Sequence, residues 1–335
     1  MKRTIITIAA LTFSLAVFAP LGQANPTAPE SAAQDVTPEE AAAYRAWYDA
    51  NQAKDYPKAM ELAKAYLEKF PNGNAKNVDF LKNKWIPQMR GYFFQQAAQA
   101  KNVPEVIRIG KEVLAGDPDN LDYLSALVVQ IRTNELFANP PNFSHAAEAT
   151  DFAERSIKLI EAGKTAGDPK VFNKNVTLGY MHQTLAVIYD HDKNTDKALA
   201  EYNKAAEAEP ANSAYFFHCG RIHNEKYAAA AQKYQAIPEA DREAAEPKPE
   251  VKAALEEVNK QADAVITCWA RFLGLTADKK DVNQQVRAQI EKALTDLYKY
   301  RHNDSTDGLQ KLIDQNKPTP PSSGASTVSE ATKQP

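Results

Sequence analysis

The chain has 335 residues, 44% of them hydrophobic and 25% charged, with a formal net charge of −3. That balance suits a soluble globular class, and an acidic chain without clustered basic residues is no general nucleic-acid binder. Only 12 residues are glycine, well below the usual share of about 7%, which disfavours turn-rich β architectures and favours helices.

The N-terminus reads as a targeting segment. Lys2 and Arg3 are followed by an apolar run from Ile5 to Ala19, by Pro20, and by the small-residue triplet Gly22-Gln23-Ala24. This pattern predicts a signal peptide over 1–24, cleaved after Ala24. The run is short for a membrane span of roughly 20 residues, no cysteine stands near the site to carry a lipid, and no later stretch is apolar enough to span. Cleavage removes two of the 40 cations against 43 acids, leaving a net charge of −5. The mature chain is expected to be exported, periplasmic or secreted, with no membrane span. Residues 25–36, rich in Ala, Pro and Ser, are expected to form a flexible segment.

From residue 37 the chain reads as successive helical hairpins. Thr37 caps the first helix, Pro38 suits its first turn, and Glu40 completes a capping box. Its partner follows a turn at Lys54-Asp55-Tyr56 and turns Ala59, Ala63 and Tyr66 inward, and Pro71 closes the hairpin. In residues 74–86, Val78, Leu81 and Trp85 have helical spacing, so the second hairpin is expected to begin early and bend at Pro87. It turns at Lys101–Pro104 and closes at Pro118. The third carries the stripe Leu124, Leu127, Val128 and Ile131, an enlarged turn from Ala138 to Phe143, and a helix capped by Ser144 with Ala146, Ala149, Ala153, Ile157 and Ile160 on one face. Asp168-Pro169 is expected to restart a helix. The closures at 71, 118 and 210 are spaced as one and two units of about 46 positions, the repeat pitch read from the prolines.

The clearest pattern lies between Leu178 and Arg221. It runs His182-x2-Leu185-Ala186-x2-Tyr189, then Ala198-x3-Tyr202, then Pro210, and Phe216-x2-Cys219-Gly220-x2-His223 repeats its first part. This resembles the tetratricopeptide repeat (TPR), a helical hairpin that buries its apolar face only against the next hairpin. Small residues such as Ala186, Ala198 and Gly220 let helices approach, whereas Trp47 and Phe94 occupy the matching small positions of the first two hairpins. The resemblance implies an all-α fold: an α-solenoid of stacked antiparallel helical hairpins, a TPR-like right-handed superhelix. It is firm over 179–224, fair over 38–118 and topological elsewhere, within a repeat domain spanning 37–316.

Beyond it, a helix is expected to open at Ala228–Ala231, a loop with one helical turn to fill 237–249, and a long helix to run from Val251 to Leu273. Asp281 starts another, and a short helix from about Thr306 to Gln315 caps the end. Residues 317–335 read as a disordered tail.

No catalytic signature stands out. Gly163-Lys164-Thr165 lacks the earlier glycine of a phosphate loop, and no metal or cofactor is expected. His218-Cys219-x3-His223 is metal-like in spacing, but its positions are repeat-core positions. Cys219 and Cys268 could bridge across 49 positions, although their helical, apolar surroundings favour two separate buried thiols. Glu201, Glu207 and Glu209 are expected on a solvated face with Lys204.

In proteins of this family the first helices of successive hairpins line a groove for peptides or protein segments. Transferred by register, the groove residues are Tyr44, Tyr48, Asn51, Tyr92, Gln95, Gln183, Phe217, His218, Arg221 and Asn224. The expected function is an exported, non-catalytic scaffold that binds a peptide or protein partner in the cell envelope. A small-molecule or glycan-binding module on the same helices is the alternative.

Overall fold

The computed structural model describes residues 36–280 and 282–318. The expected leader, the segment 25–35 and residues 319–335 lie outside them. The described residues are helical without a strand. They divide into two compact units, one ending at Lys174 and the other beginning at Asn175.

The N-terminal unit opens with α1 (Pro38–Gln52) and α2 (Tyr56–Lys69). Thr37 Oγ1 accepts from the Glu40 amide at 3.2 Å, as expected of a cap. The Glu40 side chain does not close the box, however. It is buried and accepts from the Tyr66 hydroxyl and from the Asn74 amide, both at 2.6 Å. One carboxylate therefore ties the start of α1 to the end of α2, so the two helices run antiparallel. Burial, and then Glu40, hold the Tyr66 phenol above its ordinary pKa.

Next come α3 (Ala75–Phe80), a π-helical turn (Leu81–Trp85) and α4 (Ile86–Gln99). The expected bend at Pro87 is replaced by this wider turn, which brings Leu81 and Trp85 inward. Pro87 lies inside helix that runs on unbroken from Ala75, directly after the wider turn, which accommodates the N–H that proline lacks. α5 (Val103–Gly116) and α6 (Leu121–Ile131) follow, then a second π turn (Arg132–Leu136) and α7 (Ala146–Glu161). Ser144 does not cap α7: its own amide bonds to Asn142, and His145 precedes the helix without a side-chain cap. Neighbouring helices pack in sequence, α1 on α2, α4 on α5, α5 on α6 and α6 on α7.

The C-terminal unit begins with α8 (Lys174–His191), so Asp168-Pro169 forms a turn rather than a helix start. α9 (Thr195–Ala208) returns antiparallel to it. His182 meets Glu201, and one end further along Lys197 lies over the Tyr189 ring. α10 (Ser213–Gln235) runs unbroken through Ala228–Ala231, where a new helix was expected. The single turn α11 (Glu239–Arg242) leads to α12 (Pro249–Leu275). Cys219 is disulfide-bonded to Cys268, and His223 Nδ1 lies 2.7 Å from Gln261 Oε1, so α10 and α12 pair antiparallel. The expectation of separate thiols fails because this pairing brings the two Cα atoms to 5.9 Å. Gly220 is the close approach of the pair: a Cβ there would stand 2.1 Å from Trp269 Cδ1. α13 (Gln284–Arg301), capped by Asn283, and α14 (Leu309–Asp314) pack on α12. The expected start of α13 at Asp281 lies outside the described residues.

Three turns share one geometry. Lys54, Lys101 and Lys193 have positive φ of 58°, 55° and 62°. Each is followed by an Asp or Asn (Asp55, Asn102, Asn194) whose side chain caps the next helix. The amide of that capping residue reaches back to the carbonyl of Ala50, Ala97 or Tyr189. The second turn lies 47 positions after the first and the third 92 after the second, the spacing of the proline closures.

Candidate functional site

In the N-terminal unit, α1 and α4 carry the expected groove residues. Trp47 sits at the centre, fully buried, with Tyr44, Phe80 and Trp85 ring centroids at 4.9, 5.9 and 5.4 Å. Tyr44 is itself buried, at 7% exposure, and packs on Tyr66. Asn51 is half-buried and uses its carbonyl to accept from the Trp85 indole at 3.0 Å. Tyr48, Tyr92 and Gln95 are half-buried and reach solvent.

Two further rings join this surface. Tyr56, the first residue of α2, stands edge-on to Tyr92 at 5.4 Å and 71°, and Phe93 lies 5.6 Å from Tyr92 at 66°. Both are half-buried. The sequence pattern placed Tyr56 in a turn and left Phe93 unassigned. The available signal was an aromatic at the head of a helix, which register transfer from first helices alone does not read.

In the C-terminal unit the expected residues are mostly engaged within the fold. Gln183 is buried at 2% exposure. Phe217 packs on Phe272 and His218, and Asn224 is half-buried on α10. Arg221 spans two helices, donating to Asp190 and to Glu225. His218 stacks on Tyr202 with ring centroids 5.0 Å apart and planes 3° from parallel. Its Nδ1 is buried without a hydrogen-bond partner.

Burial pulls the His218 pKa down to about 4; the Arg221 charge acts in the same direction and Asp190 against it. The unfolded chain protonates near the ordinary value of about 6.5. The neutral ring therefore contributes stability that is fully present above about pH 6.5 and is lost as pH falls towards 4. A His218→Phe variant keeps the stacking and cannot titrate. Its urea midpoint is expected to change less than that of the wild type between pH 7 and 4.5; equal changes would refute the assignment.

Glu201 departs from its expected place on a solvated face. It is buried at 9% exposure between His182 Nδ1, at 2.6 Å, and Lys204 Nζ, at 2.8 Å. Burial by itself would raise its pKa, but the hydrogen bonds from His182 and Lys204 outweigh it and hold the carboxyl below the ordinary range. Position 182 reads as a core position of the repeat, so a buried polar pair there was not foreseen. Of the metal-like trio, Cys219 is committed to the disulfide and His223 bonds to Gln261. Among the described residues no group of three or more His, Cys, Asp and Glu side chains could hold a metal ion. None of the described helices is long and apolar enough to cross a membrane.

Two open clefts run beside α12. The larger, about 580 Å³, is lined by residues including Lys252, Leu255, Asn259 and Arg301. The smaller, about 350 Å³, lies between α12, Tyr298, His302 and α14. Arg301 is not free to take an anion there, since it forms a paired contact with Asp263 at 2.7 and 2.9 Å. No family model matches the chain, and no curated protein is similar to it.

Proposed function

We propose that the protein is an exported, non-catalytic TPR-type scaffold, an α-solenoid of helical hairpins that holds a peptide or protein partner in the cell envelope. The observation that carries this reading is the surface on α1 and α4, where the half-buried Tyr48, Tyr92 and Gln95 join apolar area to hydrogen-bonding groups. Such side chains dominate the energetics of recognition surfaces. The recurrent turn at Lys54, Lys101 and Lys193 supports the repeat architecture. The leader pattern and the Cys219–Cys268 bond support export, because disulfides persist in oxidising compartments.

The test is a photo-crosslinking side chain at Gln95 in the exported protein. Capture of a discrete polypeptide at that position, absent with the crosslinker at the exposed Lys292, supports the reading; no captured polypeptide counts against it. The α12 clefts keep the small-molecule or glycan reading open, since about 580 Å³ is within the range of ligand pockets. A glycan panel that raises the melting temperature through Lys252 and Asn259 would favour that reading instead.

A further inference from the structure

We propose that Asn72 is a self-modifying position. Attack by the Gly73 backbone nitrogen, followed by water, converts it to aspartate and isoaspartate, and the conversion loosens the tie between α1, α2 and α3.

The sequence and the turn supply the opportunity. Asn72 is the only asparagine of the chain that is followed by glycine. The backbone nitrogen after an asparagine closes a five-membered ring when it bonds to that side chain's carbonyl carbon. A Cβ on the following residue crowds this approach and narrows the backbone angles that allow it, and glycine has none. Asn72 is exposed in the turn between α2 and α3, where water and solvent base reach it. The Gly73 N–H donates to the Phe70 carbonyl at 3.1 Å, and this bond must open before attack. It lies outside the helices, in the part of a fold that opens most readily.

The structure explains why a glycine stands there. Gly73 is not among the residues of positive φ, so its backbone does not demand one. Glu40 does: a Cβ at residue 73 would stand 2.5 Å from Glu40 Oε1 and 3.1 Å from Phe70 Cβ. The same Oε1 accepts from the Tyr66 hydroxyl and the Asn74 amide, both at 2.6 Å. The buried carboxylate that joins the helices therefore requires the residue that leaves Asn72 open to attack.

In the reaction the Gly73 nitrogen bonds to Asn72 Cγ, the Cγ–Nδ2 bond breaks, and ammonia leaves with the proton that Gly73 gives up. Water then opens the cyclic imide. Opening at Cγ restores the ordinary backbone as aspartate, and opening at the backbone carbonyl routes the chain through Cγ as isoaspartate. Either product puts a new carboxylate in the turn that Glu40 holds. Isoaspartate also adds one methylene to a link fixed at both ends. Phe70 N–H bonds to the Tyr66 carbonyl, and the Asn74 side chain accepts from the Lys76 and Asn77 amides. Lengthening that link draws the Asn74 amide away from Glu40, and a buried carboxylate that loses a donor is destabilising.

The experiment ages the whole chain in mildly alkaline buffer and digests it with trypsin, which releases the peptide from Phe70 to Lys76. Asn72 is expected to convert at least about tenfold faster than Asn74 in the same peptide, because only Asn72 precedes a glycine. Fragment ions separate isoaspartate from aspartate. Asn72→Gln, whose ring would need six members, should keep its amide over the same time. The urea midpoint of the aged protein should fall in proportion to its isoaspartate, whereas fresh Asn72→Asp, which adds the charge alone, should stay closer to the wild type. Gly73→Ala should slow the conversion and lower the midpoint of fresh protein, and that loss should shrink when Glu40 is also replaced by alanine. Conversion of Asn72 no faster than that of Asn74 overturns the proposal, as does a converted protein with the midpoint of the fresh one. A Gly73→Ala loss that is the same with and without Glu40 overturns the link between the glycine and the carboxylate.

Discussion

Replacing Cys219 and Cys268 together by alanine is expected to lower the stability of the C-terminal unit by about 4 kcal/mol, the chain-entropy value for a closed loop of this length. The bond spans 49 positions and encloses the greater part of α10, all of α11 and the greater part of α12. Those two helices already pack closely, with Gly220 against Trp269. The bond therefore acts chiefly on the unfolded chain, by denying it the separation of residues 219 and 268. Both cysteines are buried, at 7% and 8% exposure, and alanine adds no hydroxyl in need of a partner. Urea unfolding followed through Trp269, which adjoins Cys268, measures the loss. Reductant should bring the wild type down to the double variant and leave the variant untouched. A wild-type midpoint indifferent to reductant would exclude a stabilising bond.

The same region shows how far the sequence could be read. The helices α8 to α10 were legible because the spacing of Leu185, Ala186, Tyr189, Ala198 and Tyr202 is local, and all but Tyr189 of these are buried as that spacing requires. The regular pitch was legible too, since proline closures and lysine turns follow the same intervals. The pairing of Cys219 with Cys268 was not. It depends on the register of α10 against α12 across residues 236–248, and no local pattern encodes that register. The Glu40 and Glu201 carboxylates were misplaced for a related reason. Glu40 reads as half of a local capping box and Glu201 as a solvated residue until their partners, Tyr66 and Asn74 for one and His182 for the other, are brought together by tertiary packing. The π turns at Leu81–Trp85 and Arg132–Leu136 likewise shift the inward face by about a residue, which a uniform 3.6-residue period cannot anticipate. Of the half-buried rings in the N-terminal unit, Tyr48 and Tyr92 were named by register, while Tyr56 meets Tyr92 only through the packing of α2 on α4.

Trp47→Ala is expected to destabilise the N-terminal unit by about 3–5 kcal/mol, the usual cost of emptying a buried aromatic site. Trp47 occupies a position where the repeat pattern calls for a small residue, and the structure accommodates it by building the unit around it. It has no exposed surface, and Tyr44, Tyr48, Phe80 and Trp85 all lie within 6.4 Å of it, centroid to centroid. Alanine would leave a cavity walled by rings that are held from behind and cannot collapse into it. Trp47→Phe should be much milder, about 1 kcal/mol. Phenylalanine fills most of the site, and its smaller volume is offset by removing the indole N–H, which is buried without a partner. Urea unfolding of the two variants separates these terms, and similar losses for both would show that the indole N–H does have a partner.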